Sequence, residues 1–439
     1  MLLYHKGLRG VKPRAPSDGR LSRRRRTHEK EARSVALLPA AGGAAPVRAE
    51  AQTVDIHMFI SGPEYADAIR TLIDAYKTVA PQVTLHYETT QSDYPALLKT
   101  RLNAGDCPDI FATTSGKEIG LYREYSADLT DTPAAEALLA PVRAVMSDGG
   151  RVYGFHFVCN DFGIVYNQTV LENCGIQTPP QTLTELENAC AALQAHGYQP
   201  MTTGFGEWWV YKHIFQHFFN TATDDPAALV ARFAAGQAKM ADYPALYESF
   251  FRFLDLAVRY GDAKPLETGL ADEVTALASG KAGMMLGQGA WVESDLLNTN
   301  PAMRIGFDGY PVSENAAQCQ VIFGPDQALR VYRDSPVLAE TLAFVNWWMT
   351  SDYASAWISD TCRVIPATEG ARLPGTAIAT QGAARIAQKG AGTLSVSFST
   401  DGFHQAFGRV LQAYVGGLID RNEACARIEH AWLDADGAR

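Results

Sequence analysis

Two periodicities alternate between residues 54 and 112, and they limit this region to an α/β arrangement. Apolar side chains occupy every second position of Val54–Ile60 and of Val83–Tyr87, a spacing typical of strands. Residues 65–79 instead carry apolar side chains three or four positions apart, which predicts a helix. A second helix over 92–105, capped by its first residue, and a short strand over 108–112 complete the pattern. Strands joined by such crossovers pair in parallel with right-handed connections.

The carboxyl ends of the three predicted strands are polar. They fall at 61–65, 90–94 and 113–117, and the first two segments each contain a tyrosine. Open parallel sheets bind their ligands outside these strand ends. The sequence therefore predicts a ligand site at this edge of the sheet.

The chain has 439 residues, which is enough for two domains, because domains commonly span about 100–200 residues.

The rest of the chain contains further predicted helices and strands. The capping box Thr182-x-x-Glu185 predicts a helix start. Helices are expected to predominate from 168 to 315. Further predicted elements are strands at Met284–Leu286, Arg304–Phe307 and Ala328–Tyr332, a helix from Pro336 through Trp348, and helices near Gln405–Gly416 and Arg421–Leu433.

Charge is distributed unevenly along the chain. Residues 1–51 hold 12 of the 38 lysines and arginines but only 4 of the 48 acids, so the remainder has 26 basic and 44 acidic side chains, a net charge of −18. Nucleic acids and anionic lipids need basic protein surface, so neither is an expected partner. After the amino terminus there is no run of 18 apolar residues to span a membrane.

The first 51 residues are similar to a secretory signal. A basic run at Arg23–Arg26 precedes apolar Val35–Leu38 and the small-x-small sequence Ala49-Glu50-Ala51, which predicts cleavage after Ala51. The apolar stretch is short and is followed by Pro39, so a degraded signal or a wrongly assigned start codon is an equal alternative. No Leu-x-Gly-Cys sequence supports a lipid anchor.

Seven cysteines occur without any C-x-x-C pair. An odd number gives no disulfide framework, and most are expected to be buried small apolar residues. At most one bridge is expected, with Cys159, Cys319 and Cys362 as the candidates.

Six short motifs follow one another in an order that resembles the family 1 extracellular solute-binding proteins. They are Pro108–Phe111, Gly154 with Tyr166-Asn167, Pro180–Leu186 with Gly197–Pro200, Gly280–Met285 with Gly289 and Trp291, Tyr310-Pro311, and Val364–Ala367. Each is weak alone, but together they cover roughly 52–437. Leu183, Gln168 and Phe155–Phe157 depart from the usual tryptophan, lysine and proline of the family, which leaves the ligand's identity open.

The resemblance implies a periplasmic-binding-protein-like (type II) fold with two α/β lobes, a hinge and a central ligand cleft. Lobe 1 would comprise 52–160 and 320–363, and lobe 2 would comprise 161–319 and 364–439. Hinge closure would bury the ligand. The family's role implies a monomer outside the cytoplasm, in the periplasm or at the outer face of the membrane. It would deliver a sugar or oligosaccharide to the permease subunits of an ABC importer, without catalysis, cofactor or metal.

A sugar site needs flat aromatic surfaces for the C–H face and converging polar groups for the hydroxyls. Trp208 and Trp209, expected in a glycine-flanked loop, suit this, although one could pack in the core under the other. Trp291 follows a predicted strand and is a further candidate. Trp347-Trp348 lies within a predicted helix and is expected to pack in the core.

The other candidate ligand-binding residues lie at the predicted strand ends or lobe crossings. They are Ser61, Gly62, Tyr65, Gln91, Asp93, Tyr94, Thr114, Ser115, Asn160 (or its neighbour Asp161), Asp326 and Arg363. Asp93 could equally be a first-turn helix acid, and Arg363 could form a salt bridge instead.

Two other functions stay open. The acidic body would suit a polyamine or another small polar solute in the same fold. A secreted carbohydrate-active enzyme is a weaker alternative, because paired carboxylates cannot be recognised from sequence and no Gly-x-Ser-x-Gly, His-Glu-x-x-His or P-loop motif occurs. His213 and His217 are four residues apart without an accompanying acid or cysteine set, which favours a structural role over zinc binding.

Overall fold

The computed structural model describes Thr53–Thr90 and Ser92–Ala435. The predicted signal over 1–51 and the candidate Gln91 lie outside the described residues. Within the described part, none of the helices combines the length and the apolar character needed to cross a membrane.

Twelve strands lie in the described chain. They are β1 Val54–Ser61, β2 Val83–Thr90, β3 Ile110–Thr114, β4 Ser147–Asp148, β5 Arg151–Val152, β6 Val158–Asn167, β7 Gln199–Thr202, β8 Ala282–Gly289, β9 Ile305–Asp308, β10 Ile322–Gly324, β11 Gln327–Val331 and β12 Ile365–Pro366.

Seventeen α-helices accompany these strands within the described residues. They are α1 Ala66–Val79, α2 Tyr94–Ala104, α3 Lys117–Leu121, α4 Pro133–Glu136, α5 Ala140–Val145, α6 Gln168–Asn173, α7 Leu183–Ala195, α8 Trp208–Ala222, α9 Pro226–Ala234, α10 Phe250–Tyr260, α11 Leu270–Ala278, α12 Glu293–Thr299, α13 Leu338–Thr350, α14 Asp352–Ala356, α15 Ala377–Lys389, α16 Asp401–Val415 and α17 Arg421–Ala435.

The first sheet has the strand order β11-β3-β1-β2. β1 pairs in parallel with β2 and β3, as the alternating pattern predicts, and β11 returns antiparallel to β3. α1 and α2 follow β1 and β2 directly, so the carboxyl ends of the parallel strands meet at one edge.

The second sheet is built around β6, which is buried along its whole length. Its order is β10-β6-β8-β7, with β9 and β12 also paired to β6. The chain passes between the two sheets at three adjacent places. β6 begins just after Phe155, which bridges Leu329; β10 and β11 are separated by two residues; and β12 pairs with the start of β6.

The α/β class is confirmed, whereas the boundaries of two lobes stay a prediction. The first sheet draws its strands from 54–114 and 327–331, and the second from 158–324 and 365–366. Each sheet has its own helices, but the buried apolar residues form one continuous core.

Three local predictions were wrong or only half right. Trp208 and Trp209 begin α8 rather than lying in a loop, because the chain enters the helix directly after Glu207. Ser92 does not cap α2, since its hydroxyl donates to the Glu207 carboxylate instead. In the Thr182-x-x-Glu185 box, the Glu185 amide donates to the threonine hydroxyl, but the Glu185 carboxylate accepts from the Gln181 amide.

The seven cysteines are all free thiols, and five of them are buried. The bridge considered among Cys159, Cys319 and Cys362 does not form. Their burial agrees with the expectation that most are small apolar residues.

Arg330 of β11 is a buried charged residue that forms hydrogen bonds with β3 and with the segment that follows β3. It is 0% exposed, and its guanidinium donates to Thr113 Oγ1 at 2.9 Å, Ser126 Oγ at 2.8 Å and the Glu118 carbonyl at 2.6 Å. Removing the guanidinium would leave buried acceptors without donors. We expect Arg330→Met to lower the free energy of unfolding by about 2–4 kcal/mol, measured by urea denaturation.

The matched control is Arg333→Met. Arg333 is exposed, and its one ion pair among the described residues is with Asp334 at 3.6 Å, so its removal should change stability by no more than about 0.5 kcal/mol. Equal losses in the two variants would show that Arg330 contributes no more than a surface arginine.

Candidate functional site

A cavity lies between the carboxyl edge of the first sheet and the helices of the second. It is called the main cavity below. The centre of a water molecule can occupy about 80 Å³ of this cavity. All the empty space between the lining side chains, including the part open to solvent, amounts to about 770 Å³. Its lining residues are Ser61, Glu64, Tyr65, Tyr94, Pro95, Ala112, Thr113, Thr114, His156, Val158, Asn160, Trp208, Trp209, Lys212, His213, Trp291, Asp326, Gln327 and Asp401.

Three tryptophans give the main cavity its aromatic walls. Trp208 and Trp209 occupy the first turn of α8, and Trp291 follows β8. The Trp291 indole donates to Gln288 Oε1 at 3.1 Å, which fixes its ring. The Trp209 indole N–H has no hydrogen-bond partner in the described part of the chain, so a donor remains available at this wall.

Asp326 is the central acid of the main cavity. It sits between β10 and β11, is 8% exposed, and accepts from Asn160 Nδ2 at 3.2 Å. His213 Nε2 lies 3.6 Å from its second oxygen. Burial alone would raise the pKa of Asp326, but His213, Lys212 and His156 hold it well below its usual range. Asp326 is therefore a buried, ionised acceptor at the point where the chain crosses between sheets.

His213 and His156 are neutral near pH 7. Burial lowers the pKa of His213 despite its contact with Asp326, and it lowers the pKa of His156 to about 4. The His213 Nδ1–H donates to the Gly287 carbonyl at 3.0 Å, which leaves Nε2 facing Asp326.

Lys212 supplies a cation to the same cavity. It is 7% exposed, and its ammonium lies 5.7 Å from the centre of the Trp208 ring. It makes no hydrogen bond or ion pair with another described residue. Its three donors are thus free to meet acceptors in the cavity.

Glu64 lies on the opposite wall, directly after β1. Its Oε2 atom is buried without a hydrogen-bond partner. Burial raises the pKa of Glu64 to about 7, a backbone N–H opposes this, and Asp326 and Asp295 add to the rise. Near neutral pH the Glu64 carboxyl group is therefore partly protonated. Its protonated form can donate a hydrogen bond, and its ionised form can only accept one.

Side chains from the two sides of the main cavity touch across it. Ser92 donates to Glu207, and Trp208 Nε1 donates to the Ser92 carbonyl at 3.2 Å. Thr114 Oγ1 donates to Asp401 Oδ1 at 2.5 Å. These contacts join the strand ends of the first sheet to α8 and α16.

The structure brings nine of the fourteen predicted site residues to the main cavity, although their contact with a ligand stays a prediction. They are Ser61, Tyr65, Tyr94, Thr114, Asn160, Trp208, Trp209, Trp291 and Asp326. Tyr94 contributes its ring only, because its hydroxyl donates to the Phe59 carbonyl and accepts from the Ala112 amide, both at 2.7 Å.

Four of the predicted residues do not line the main cavity. Gly62 precedes the turn Pro63–Tyr65 with φ 108°, a left-handed geometry that suits glycine. Ser115 is buried and donates to the Pro325 carbonyl at 2.7 Å. Asp93 and Arg363 are exposed. Gln91 lies outside the described residues, and Asp161, the alternative to Asn160, packs its carboxylate against Gly382 instead.

Lys212, His213, His156, Glu64 and Asp401 line the main cavity but were not predicted. Lys212 and His213 stand four positions after Trp208 and Trp209, so they share a helix face with the tryptophans. That signal was present in the sequence but required the helix to be recognised. Asp401 arrives from the far end of the chain, and no local pattern indicated it.

A sequence profile for bacterial extracellular solute-binding proteins matches residues 71–385, well over half of the chain. The chain belongs to this family. The resemblance seen in the sequence motifs is therefore confirmed, and the main cavity is the candidate binding site of a solute-binding protein.

Individual relatives are distant in sequence but similar in fold. This solute-binding protein is 23% identical to the melibiose/raffinose/stachyose-binding protein MelE of Bacillus subtilis, an alignment that covers 67% of this chain and 69% of MelE. A Bacillus licheniformis sugar transporter protein in complex with stachyose superposes with a TM-score of 0.74 at 20% identity, covering 87% and 100% of the two chains. A chitin oligosaccharide binding protein superposes with a TM-score of 0.75 at 18% identity, covering 88% and 100%.

The raised pKa of Glu64 predicts a pH-dependent stability. Its folded pKa of about 7 exceeds an unfolded value of about 4.3, so the folded state holds an extra proton between these pH values. This stabilising contribution is complete below about pH 4 and is lost as pH rises through 7. Relative to Glu64→Gln, the wild type should lose on the order of 1–3 kcal/mol of unfolding free energy between pH 5 and pH 8 in urea titrations.

Glu248→Gln, a change at an exposed position, is the control for altered net charge. Parallel pH profiles for the wild type and Glu64→Gln would contradict the assignment.

Proposed function

We propose that this solute-binding protein captures a sugar or short oligosaccharide in the main cavity. The observation that carries the proposal is the convergence of three tryptophans with unpaired hydrogen-bonding groups in one cavity. Aromatic rings match the C–H faces of a sugar, and donors and acceptors at their edges match its hydroxyls. The binding residues we propose are Trp208, Trp209, Trp291, Asp326 and Lys212.

The proposed hydroxyl recognition uses both charge types. A sugar hydroxyl can accept from the Lys212 ammonium while donating to the Asp326 carboxylate, and hydrogen bonds to charged groups are about twice as strong as neutral ones. Asn160 Oδ1 and Trp209 Nε1, both without protein partners, would serve as an additional acceptor and donor.

The composition of the main cavity favours a neutral ligand over a polyamine. A polyamine site calls for several acids without a competing cation, whereas here Lys212 places a positive charge beside the aromatic wall. At neutral pH Asp326 is already compensated by the Asn160 amide and the Lys212 ammonium. The cavity has three carboxyl groups, but the pKa of Glu64 is raised to about 7, so Lys212 offsets much of the remaining negative charge.

We further propose that the two sheets belong to separate lobes that part to admit the ligand. The space open to water in the main cavity is below the roughly 300–1,000 Å³ of common ligand pockets. Admitting an oligosaccharide would require Ser92 to separate from Glu207 and Thr114 from Asp401. Binding energy gained from ligand contacts on both sides would drive closure.

The cellular role follows from the family. We propose an extracytoplasmic location and delivery of the ligand to the permease of an ABC importer, with no catalytic step. Support comes from three similar proteins. MelE and the chitin oligosaccharide binding protein have names that specify oligosaccharides, and the Bacillus licheniformis protein has stachyose bound. Because these ligands differ, they support the class of compound rather than one sugar.

The proposal predicts sugar binding that depends on Trp208. Raffinose, stachyose and chitin oligosaccharides should be titrated into the full-length chain by calorimetry and thermal shift, and at least one should bind and raise the Tm. Trp208→Ala should weaken that affinity at least about tenfold, or ~1.4 kcal/mol, through loss of ring contact.

Trp347→Phe is the matched control, because Trp347 packs against Tyr76 and Tyr353 away from the main cavity. It should leave the affinity unchanged. Spermidine binding without sugar binding would favour a polyamine binder, and release of sugar products during incubation would favour an enzyme.

A further inference from the structure

A second, smaller cavity lies behind the main cavity, and we call it the rear cavity. Its lining residues come from α8, α9, α16, α17 and the segment around the turn Ser395–Phe398, and the centre of a water molecule can occupy about 20 Å³ of it. Its walls are mainly aromatic: Phe215, Phe219, Phe403, Phe407 and Trp432. Lys212 borders both cavities, so its side chain is part of the partition between them.

Two polar side chains on the rear cavity lack protein partners. Gln216 is 1% exposed, and neither its amide nitrogen nor its amide oxygen makes a hydrogen bond with another described residue. His404 is 3% exposed; its Nε2–H donates to the Val396 carbonyl at 3.0 Å, which leaves Nδ1 unpartnered. Burial lowers the pKa of His404 to about 3, so Nδ1 carries a lone pair at neutral pH.

Leaving these groups unpaired would be costly. An unsatisfied buried donor or acceptor destabilises a protein by about 1–3 kcal/mol, and three such atoms border this space. A buried water needs roughly 10–15 Å³ of centre-accessible volume and two to four polar partners. The rear cavity meets both requirements, whereas it is too small for any sugar group.

We propose that the rear cavity is a binding site for one ordered water molecule. The water donates to His404 Nδ1 and accepts from Gln216 Nε2, and the Lys212 ammonium on the partition provides a second donor. The water thus connects α8 to α16 through hydrogen bonds. It also contacts the Lys212 ammonium on the side away from the main cavity. This site does not depend on the identity of the solute.

The decisive comparison is between the wild-type chain and Gln216→Met, which keeps the volume but removes the amide. A bridging water predicts that Gln216→Met lowers the Tm by about 2–4 °C, because the water loses one of its three partners and the link between α8 and α16 is lost. An unhydrated cavity predicts the opposite, since removing two unpaired polar atoms from an aromatic pocket would raise the Tm.

A crystal structure of the full chain at about 1.5 Å resolution gives the second measurement. It should show one density peak within hydrogen-bond distance of both Gln216 and His404. A rise in the Tm of Gln216→Met, the lack of such a peak, or a direct hydrogen bond between the Gln216 amide and His404 Nδ1 would each overturn the proposal.

Discussion

The buried charge of Asp326 is the constraint on which the main cavity depends. A carboxylate this deeply buried stays ionised only when donors and cations surround it. Asn160 comes from β6 of the second sheet, Lys212 from α8, and Asp326 itself from the two-residue link into the first sheet. Because these partners come from separate elements, an ionised Asp326 requires the elements to keep their positions relative to one another. This requirement favours the packing arrangement in which Lys212 of α8 lies near the link, with the tryptophans of the same helix beside it.

The helix α8 has two functional faces. Trp208, Trp209, Lys212 and His213 face the main cavity, while Phe215, Gln216 and Phe219 face the rear cavity. Nearly every side chain of this helix is buried, so it has little exposed surface and its orientation is set by packing on both sides. Polar groups on such a helix must find partners in the cavities, because solvent does not reach them.

The sequence contained enough information for the fold but only part of the site. β1, β2 and the helices after them could be predicted because their apolar spacing records burial on one face. Trp208 and Trp209 could be proposed from residue type, yet the helix that carries them was missed, and Lys212 was missed with it. Asp401 lies 287 residues from its partner Thr114, and only tertiary packing brings them together. Ser115 and Tyr94 have the right residue types, but their hydroxyls are used by neighbouring backbone groups.

The link between β10 and β11 limits how far apart these two strand ends can lie. Only Pro325 and Asp326 separate strands that belong to different sheets, so the ends of these strands can never be more than about 11 Å apart. The proline ring also removes one of the few torsions in the link. For the lobe opening proposed above, this short link limits sliding at this crossing and favours rotation about an axis close to it. A longer connection at this point would let the ends of β10 and β11 lie further apart, and the two sheets could then slide as well as rotate.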